Sequence, residues 1–141
     1  MPESDTVFEF AVERERRLLK FRLSGFWTVA DAEAFHHAFR RNLTLLGPGP
    51  FQIFVDLVEF TTQMPEIQDL VKAEMKYSAE QGLTRASHVV DSTYTEHQIT
   101  RMGGQSHSLE FGFFLTAQEA MDWLDVHAAS DLGRQVSPSR R

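Results

Sequence analysis

The stretch FQIFVDL, residues 51–57, decides the fold. It is a short apolar run, rich in aromatic and β-branched residues, and it barely alternates. Gly47-Pro48-Gly49-Pro50 bounds it on one side and a polar loop on the other. A run of this length without alternation predicts a strand buried on both faces. Helical patterns flank it, which places it in the middle of a sheet with helices packed on it. Asp56 comes near its end, where a central α/β strand opens into a functional loop.

Upstream, residues 7–12 alternate, with Phe8, Phe10 and Val12 on one face. Glu13-Arg14-Glu15-Arg16 is the charged connection of a hairpin. Residues 18–23 are its second strand, Leu19, Phe21 and Leu23 alternating with Leu18, Lys20 and Arg22. Ser24-Gly25 ends that strand. Thr28 then opens a helix, with Asp31 as a shorter substitute for the Glu or Gln of a capping box. Ala32, Phe35, Phe39, Leu43 and Leu46 form its apolar stripe, and Arg40 and Arg41 in its C-terminal half suit the helix dipole. Gly47-Pro48 stops it.

Downstream, Pro65 suits the first turn of a helix striped by Ile67, Leu70, Val71, Met75 and Ser78 and ended by Gly82. Residues 85–91 read as another buried strand, with His88 in phase with Ala86 and Val90. Thr93 and Glu96 form a capping box for a shorter helix carrying His97, Ile99 and Met102, closed by Gly103-Gly104. Residues 109–115 are the last strand, and Thr116 and Glu119 cap a helix through Ala128. The order is β-β-α-β-α-β-α-β-α. The fold class is α/β, a single-domain mixed sheet backed by helices, with the last three strands parallel. Residues 1–6 read as a flexible N-terminus, 7–128 as the domain and 129–141, small and polar, as a disordered tail.

A chain of 141 residues fits one such domain. Its net charge of −6 argues against nucleic acid or an anionic membrane as partner, since both require a basic surface. The absence of cysteine excludes disulfides, thiolate metal sites and a cysteine nucleophile, and suits a cytoplasmic protein. MPESDTVFEF has no basic region followed by an apolar core, so no signal peptide is visible, and no run has the length of a membrane span.

The candidate chemistry is sparse. His36 and His37 are adjacent on a helix and point about 100° apart, so they do not converge on one metal; a structural or solvated role fits them. His88 reads as a core histidine. His97 and His107, with Glu96 and Glu110 nearby, match no metal-ligand spacing. Asp56 and Asp91 fall near the ends of parallel strands. Neighbouring strands would bring two carboxylates to one rim, a catalytic device, although Asp in such places more commonly caps the following amides. No catalytic triad order, nucleophile elbow or phosphate-cradling loop appears, so the sequence implies neither an enzyme nor a cofactor or metal. Phe26, Trp27, Phe60, Met64, Ile67 and Met102 line an apolar pocket or belong to plain core.

Four segments together resemble the SpoIIAA-like branch of the STAS superfamily: LSGFWTVADAEAF (23–35), FQIFVDLVEF (51–60), RASHVVDS (85–92) and FFLTAQEAMDWL (113–124). That group includes anti-sigma-factor antagonists and relatives sometimes grouped with the CRAL-TRIO lipid-binding fold. The resemblance implies a mixed sheet backed by helices and a regulatory or ligand-binding role. Phosphoregulated antagonists carry Asp-Ser or Asp-Thr at the start of the helix after the central strand. Here that region reads Thr61-Thr62-Gln63-Met64-Pro65-Glu66, and Phe60 separates Glu59 from Thr61. Thr61 and Thr62 offer hydroxyls for phosphorylation or for helix capping.

The leading expectation is a non-enzymatic regulatory module that binds a protein partner through residues 59–70, with Glu59, Thr61, Thr62, Gln63 and Met64 in the contact loop. The alternatives are a carrier or sensor of a small apolar, lipid-like ligand, and an enzyme built on Asp56, Asp91 and His88. The edge strand of the first hairpin is compatible with a homodimer.

Overall fold

In the computed structural model, residues 7–61, 63–91 and 110–136 are described, with side-chain surroundings through His127. The strands are β1 (Phe8–Glu13), β2 (Leu18–Gly25), β3 (Phe51–Phe60), β4 (Leu83–Val89) and β5 (Glu110–Phe114). The helices are α1 (Val29–Leu46), α2 (Pro65–Glu80) and α3 (Ala117–Val136). The sheet order is β1-β2-β3-β4-β5. β1 and β2 are antiparallel, and β2, β3, β4 and β5 run parallel, as the hairpin and the helical crossovers predict.

β3 is central because both its faces are apolar. Ile53, Val55 and Leu57 pack with Leu19, Phe21 and Leu23 of β2 beneath α1 and α2, and Phe54 packs with Leu18 and Val89 beneath α3. α1 and α2 therefore share one face of the sheet and α3 covers the other. Phe35 of α1 is the hub of the larger core. Its ring centroid lies 5.2–5.8 Å from those of Phe8, Phe10, Phe21, Trp27 and Phe39. Aromatic contacts of this kind add to the area each ring removes from water.

The helix boundaries follow local chemistry. Asp31 N–H donates to Thr28 Oγ1 at 3.1 Å and Thr28 N–H donates to Asp31 Oδ2 at 2.9 Å, a complete capping box. Thr116 Oγ1 accepts from Glu119 N–H at 3.1 Å ahead of α3. The C-terminal end of α1 is held from a distance. The guanidinium of Arg17 donates to the carbonyls of Leu46, Gly47, Pro48, Gly49 and Pro50 at 2.6–3.0 Å, tying the hairpin turn to the loop that leads into β3.

Two expectations need correction. α3 continues to Val136, past Ala128, because residues 129–136 contain no proline and a single glycine, Gly133. Leu70 is not part of the α2 core stripe; the stripe runs 67, 71, 74, 78 and carries Glu74 inward instead. Arg40 lies in the C-terminal half of α1, as expected, and its guanidinium turns to Glu74. The helix expected at 93–102, with His97 and Met102, lies outside the described residues, as do His107 and Thr62.

Candidate functional site

Two loops leave the same end of the sheet side by side, residues 26–28 after β2 and, after β3, residues 61, 63 and 64. Gly25 joins them. Its φ of +82° is a left-handed conformation that L side chains rarely adopt, and its carbonyl accepts from Thr61 N–H, Thr61 Oγ1 and Gln63 Nε2 at 3.3, 3.2 and 2.9 Å. Gln63 completes the joint. Its Oε1 accepts the Trp27 N–H at 2.8 Å and its Nε2 also donates to Thr61 O at 2.6 Å. The indole N–H of Trp27 donates to Ser24 O at 3.0 Å, so the buried ring is fixed at both ends.

On these anchored loops the neighbouring apolar side chains face water. Phe26 is 58% exposed, Met64 37% and Leu70, one turn into α2, 41%. Val29 at the start of α1 is exposed as well.

Behind this rim a cleft of about 230 Å³ opens between α1 and α2, lined by Trp27, Ala32, Phe35, Leu70, Val71 and Ala73 and by the polar Glu33, His36, Arg40 and Glu74. The Glu74 side chain is only 8% exposed. Its Oε1 lies 2.7 Å from His36 Nδ1 and its Oε2 accepts from Arg40 Nε at 3.1 Å. A buried carboxylate is costly unless paired, and two groups one helical turn apart on α1 supply the pairing. The Arg40 guanidinium also stacks on Tyr77, its central carbon 3.3 Å from the ring centroid. Phe35, Val71 and Glu74 separate the cleft from an inner cavity of about 40 Å³, which His88 and Ser78 also line. That cavity has room for water but not for a lipid chain, since small-molecule pockets run to about 300–1,000 Å³.

No family model matches the chain, and no curated protein matches it in sequence. In three dimensions it is similar to an uncharacterised protein of the DUF3478 family from Shewanella loihica PV-4, described as having a SpoIIAA-like fold. The TM-score is 0.66, with 19% sequence identity over 83% of this chain and 93% of that one. The fold is SpoIIAA-like.

Within the SpoIIAA-like frame the residues singled out by sequence separate. Asp56 points to the α3 side of the sheet, in line with Gln52 and Phe54, and its Oδ1 accepts from Val58 N–H at 3.1 Å. His88 pairs in register with Val55 and faces the opposite side, beneath α1 and α2. Asp91 is exposed just beyond β4. Asp56 and His88 therefore lie on opposite faces and do not form the catalytic group that sequence allowed. His88 is fully buried, stacked on Phe113 at 4.9 Å with Nδ1 3.3 Å from Gly112 O, and burial pushes its pKa down to about 4.

The contact loop of the SpoIIAA-like domain is also redistributed. Gln63 is buried and works as a brace. Thr61 does not cap α2, because its hydroxyl is turned to Gly25; the N-cap is Met64, without a side-chain bond, and Pro65 follows. Glu59 stays exposed near Arg22 at 3.8 Å. Of the expected pocket, Trp27, Phe60 and Ile67 are core, while Phe26 and Met64 are surface. Sequence reasoning missed Glu74, although its place on the 67-71-74-78 stripe was a signal. Among the described residues no helix is long and apolar enough to cross a membrane.

Proposed function

We propose that this protein is a non-enzymatic regulatory module that docks a protein partner on the rim formed by Phe26, Val29, Met64 and Leu70. The observation that carries this reading is the exposure of Phe26, Met64 and Leu70 on loops whose backbone is fixed by the buried Gln63. Exposed apolar side chains on a rigid support suit recognition, because little conformational freedom is lost on binding. The resemblance to anti-sigma-factor antagonists points the same way, since the rim includes the start of the helix after the central strand. Phe26 and Met64 act as the anchors inserted into the partner, with Leu70 flanking them.

The test uses the full chain as bait in extracts of its own cells, alongside a Phe26→Ser, Met64→Gln double variant and a Val126→Ser surface control. The reading requires a partner retained by the native chain and by the Val126 variant but lost from the double variant. Equal retention by all three baits contradicts it.

A further inference from the structure

We propose that the cleft between α1 and α2 is a binding site for a small, flat carboxylate, an aromatic acid in size and shape. The site shares Leu70 with the rim but does not depend on the partner reading.

Three features of the cleft carry this. The first is its form. It is a concave slot between two packed helices, walled by Trp27, Phe35, Leu70 and Val71, with Glu33, His36, Arg40 and Glu74 also in its lining. Apolar walls with a small number of converging polar groups are the usual make-up of small-molecule sites. The volume of about 230 Å³ suits one ring and its substituent.

The second is Arg40. Glu74 takes its Nε, and Tyr77 packs against the guanidinium plane. Among the described residues its two terminal nitrogens have no acceptor. The fork is thus held in place by one carboxylate and one ring while its outer edge remains free. That edge matches the two oxygens of a carboxylate.

The third is His36. Its Nδ1 lies 2.7 Å from Glu74 Oε1, where an ionised carboxylate only accepts, so Nδ1 carries the proton. The imidazole lines the cleft beside Arg40, held there by Glu74. Arg41, exposed on the same helix, adds positive potential in a chain whose net charge is −6. Glu33 lines the same cleft and opposes an anion. That opposition gives the proposal a signed test: removing Glu33 strengthens carboxylate binding and weakens binding of an amine.

The experiment is a two-dimensional amide NMR titration of the full chain with benzoate, and with benzylamine and benzyl alcohol as matched probes. Benzoate is expected to move the amides of Ala32, Leu70, Val71 and Ala73 saturably, and the other two probes far less. Glu33→Gln tightens benzoate by about two- to fivefold. Arg40→Lys keeps a cation for Glu74 but removes the fork, and weakens benzoate by about tenfold. A merely disturbed fold cannot give opposite signs in the two variants, and a melting curve of each confirms folding. The proposal is overturned by non-saturable or absent shifts with benzoate, by equal response to benzyl alcohol or benzylamine, or by an Arg40→Lys variant that binds unchanged.

Discussion

The side-chain oxygen of Gln63 accepts the backbone N–H of Trp27 at 2.8 Å, joining the loop after β3 to the loop after β2 through one buried amide. All three polar bonds of that amide go to main chain, so it stands in for a stretch of sheet where the strands have already ended. Gln63→Ala leaves the Trp27 N–H and part of the Gly25 carbonyl unpaired. The expected loss is about 2–3 kcal/mol in urea denaturation, because buried groups left without partners carry their desolvation cost.

Glu74 yields a contrast between two substitutions. His36 and Arg40 are each more than a third exposed and can return to water when the carboxylate is gone. Glu74→Met fills the same space with apolar atoms and should change stability by less than about 1 kcal/mol. Glu74→Ala leaves a void beside Phe35 and Val71 and should cost about 2 kcal/mol. Equal losses in the two variants, read by chemical denaturation, would show that the ion pairs rather than the packing hold α1 to α2.

The strands, the central place of β3 and the caps at Thr28 and Thr116 were legible in the sequence because they depend on local pattern. The run at 51–57 is apolar at nearly every position, so it had to lie between two layers, and it does. Thr28 and Asp31 sit three apart, so their mutual bonds were readable. Contacts between distant elements were not. Glu74 finds His36 and Arg40 across 38 and 34 positions, and Gln63 finds Trp27 across 36. Helical spacing could mark Glu74 as facing inward, but nothing local names the partners of a buried polar residue when they come from another helix or loop. His88 is the core histidine and Asp56 the strand-end cap that their local patterns suggested; that they lie on opposite faces is fixed by the β3–β4 pairing.

Arg17 is a second long-range brace that no motif announces. Its five bonds to successive carbonyls hold the Gly47-Pro48-Gly49-Pro50 turn against the hairpin. Arg17→Ala should lower stability by about 1–2 kcal/mol, since the head group is partly in water. Arg17→Lys should recover little, because one ammonium cannot span the row of acceptors. Full recovery by lysine in thermal unfolding would mean that charge alone matters there.

His88 sets an acid sensitivity. Burial holds its pKa near 4 in the folded chain, against 6.5 as the ordinary value. The unfolded chain therefore takes up a proton at a pH where the folded chain does not. Stability from this group is complete above the ordinary value and falls as pH drops from there toward the folded pKa, by about 3 kcal/mol in total. His88→Phe, compared with the native chain by urea denaturation between about pH 7 and about pH 4.5, should lose most of that slope. An unchanged slope would place the acid sensitivity elsewhere.

The partner-binding rim is tested most directly by site-specific photocrosslinking in the native cells. A photoreactive phenylalanine analogue is placed at Phe26, at Met64 and, on the far side of the molecule, at Val126 of α3, which is also exposed. The account predicts one discrete protein adduct from positions 26 and 64, absent from 126 and competed away by excess native chain. Adducts of equal yield from all three positions, or none from 26 and 64 under conditions where 126 reacts, would contradict it.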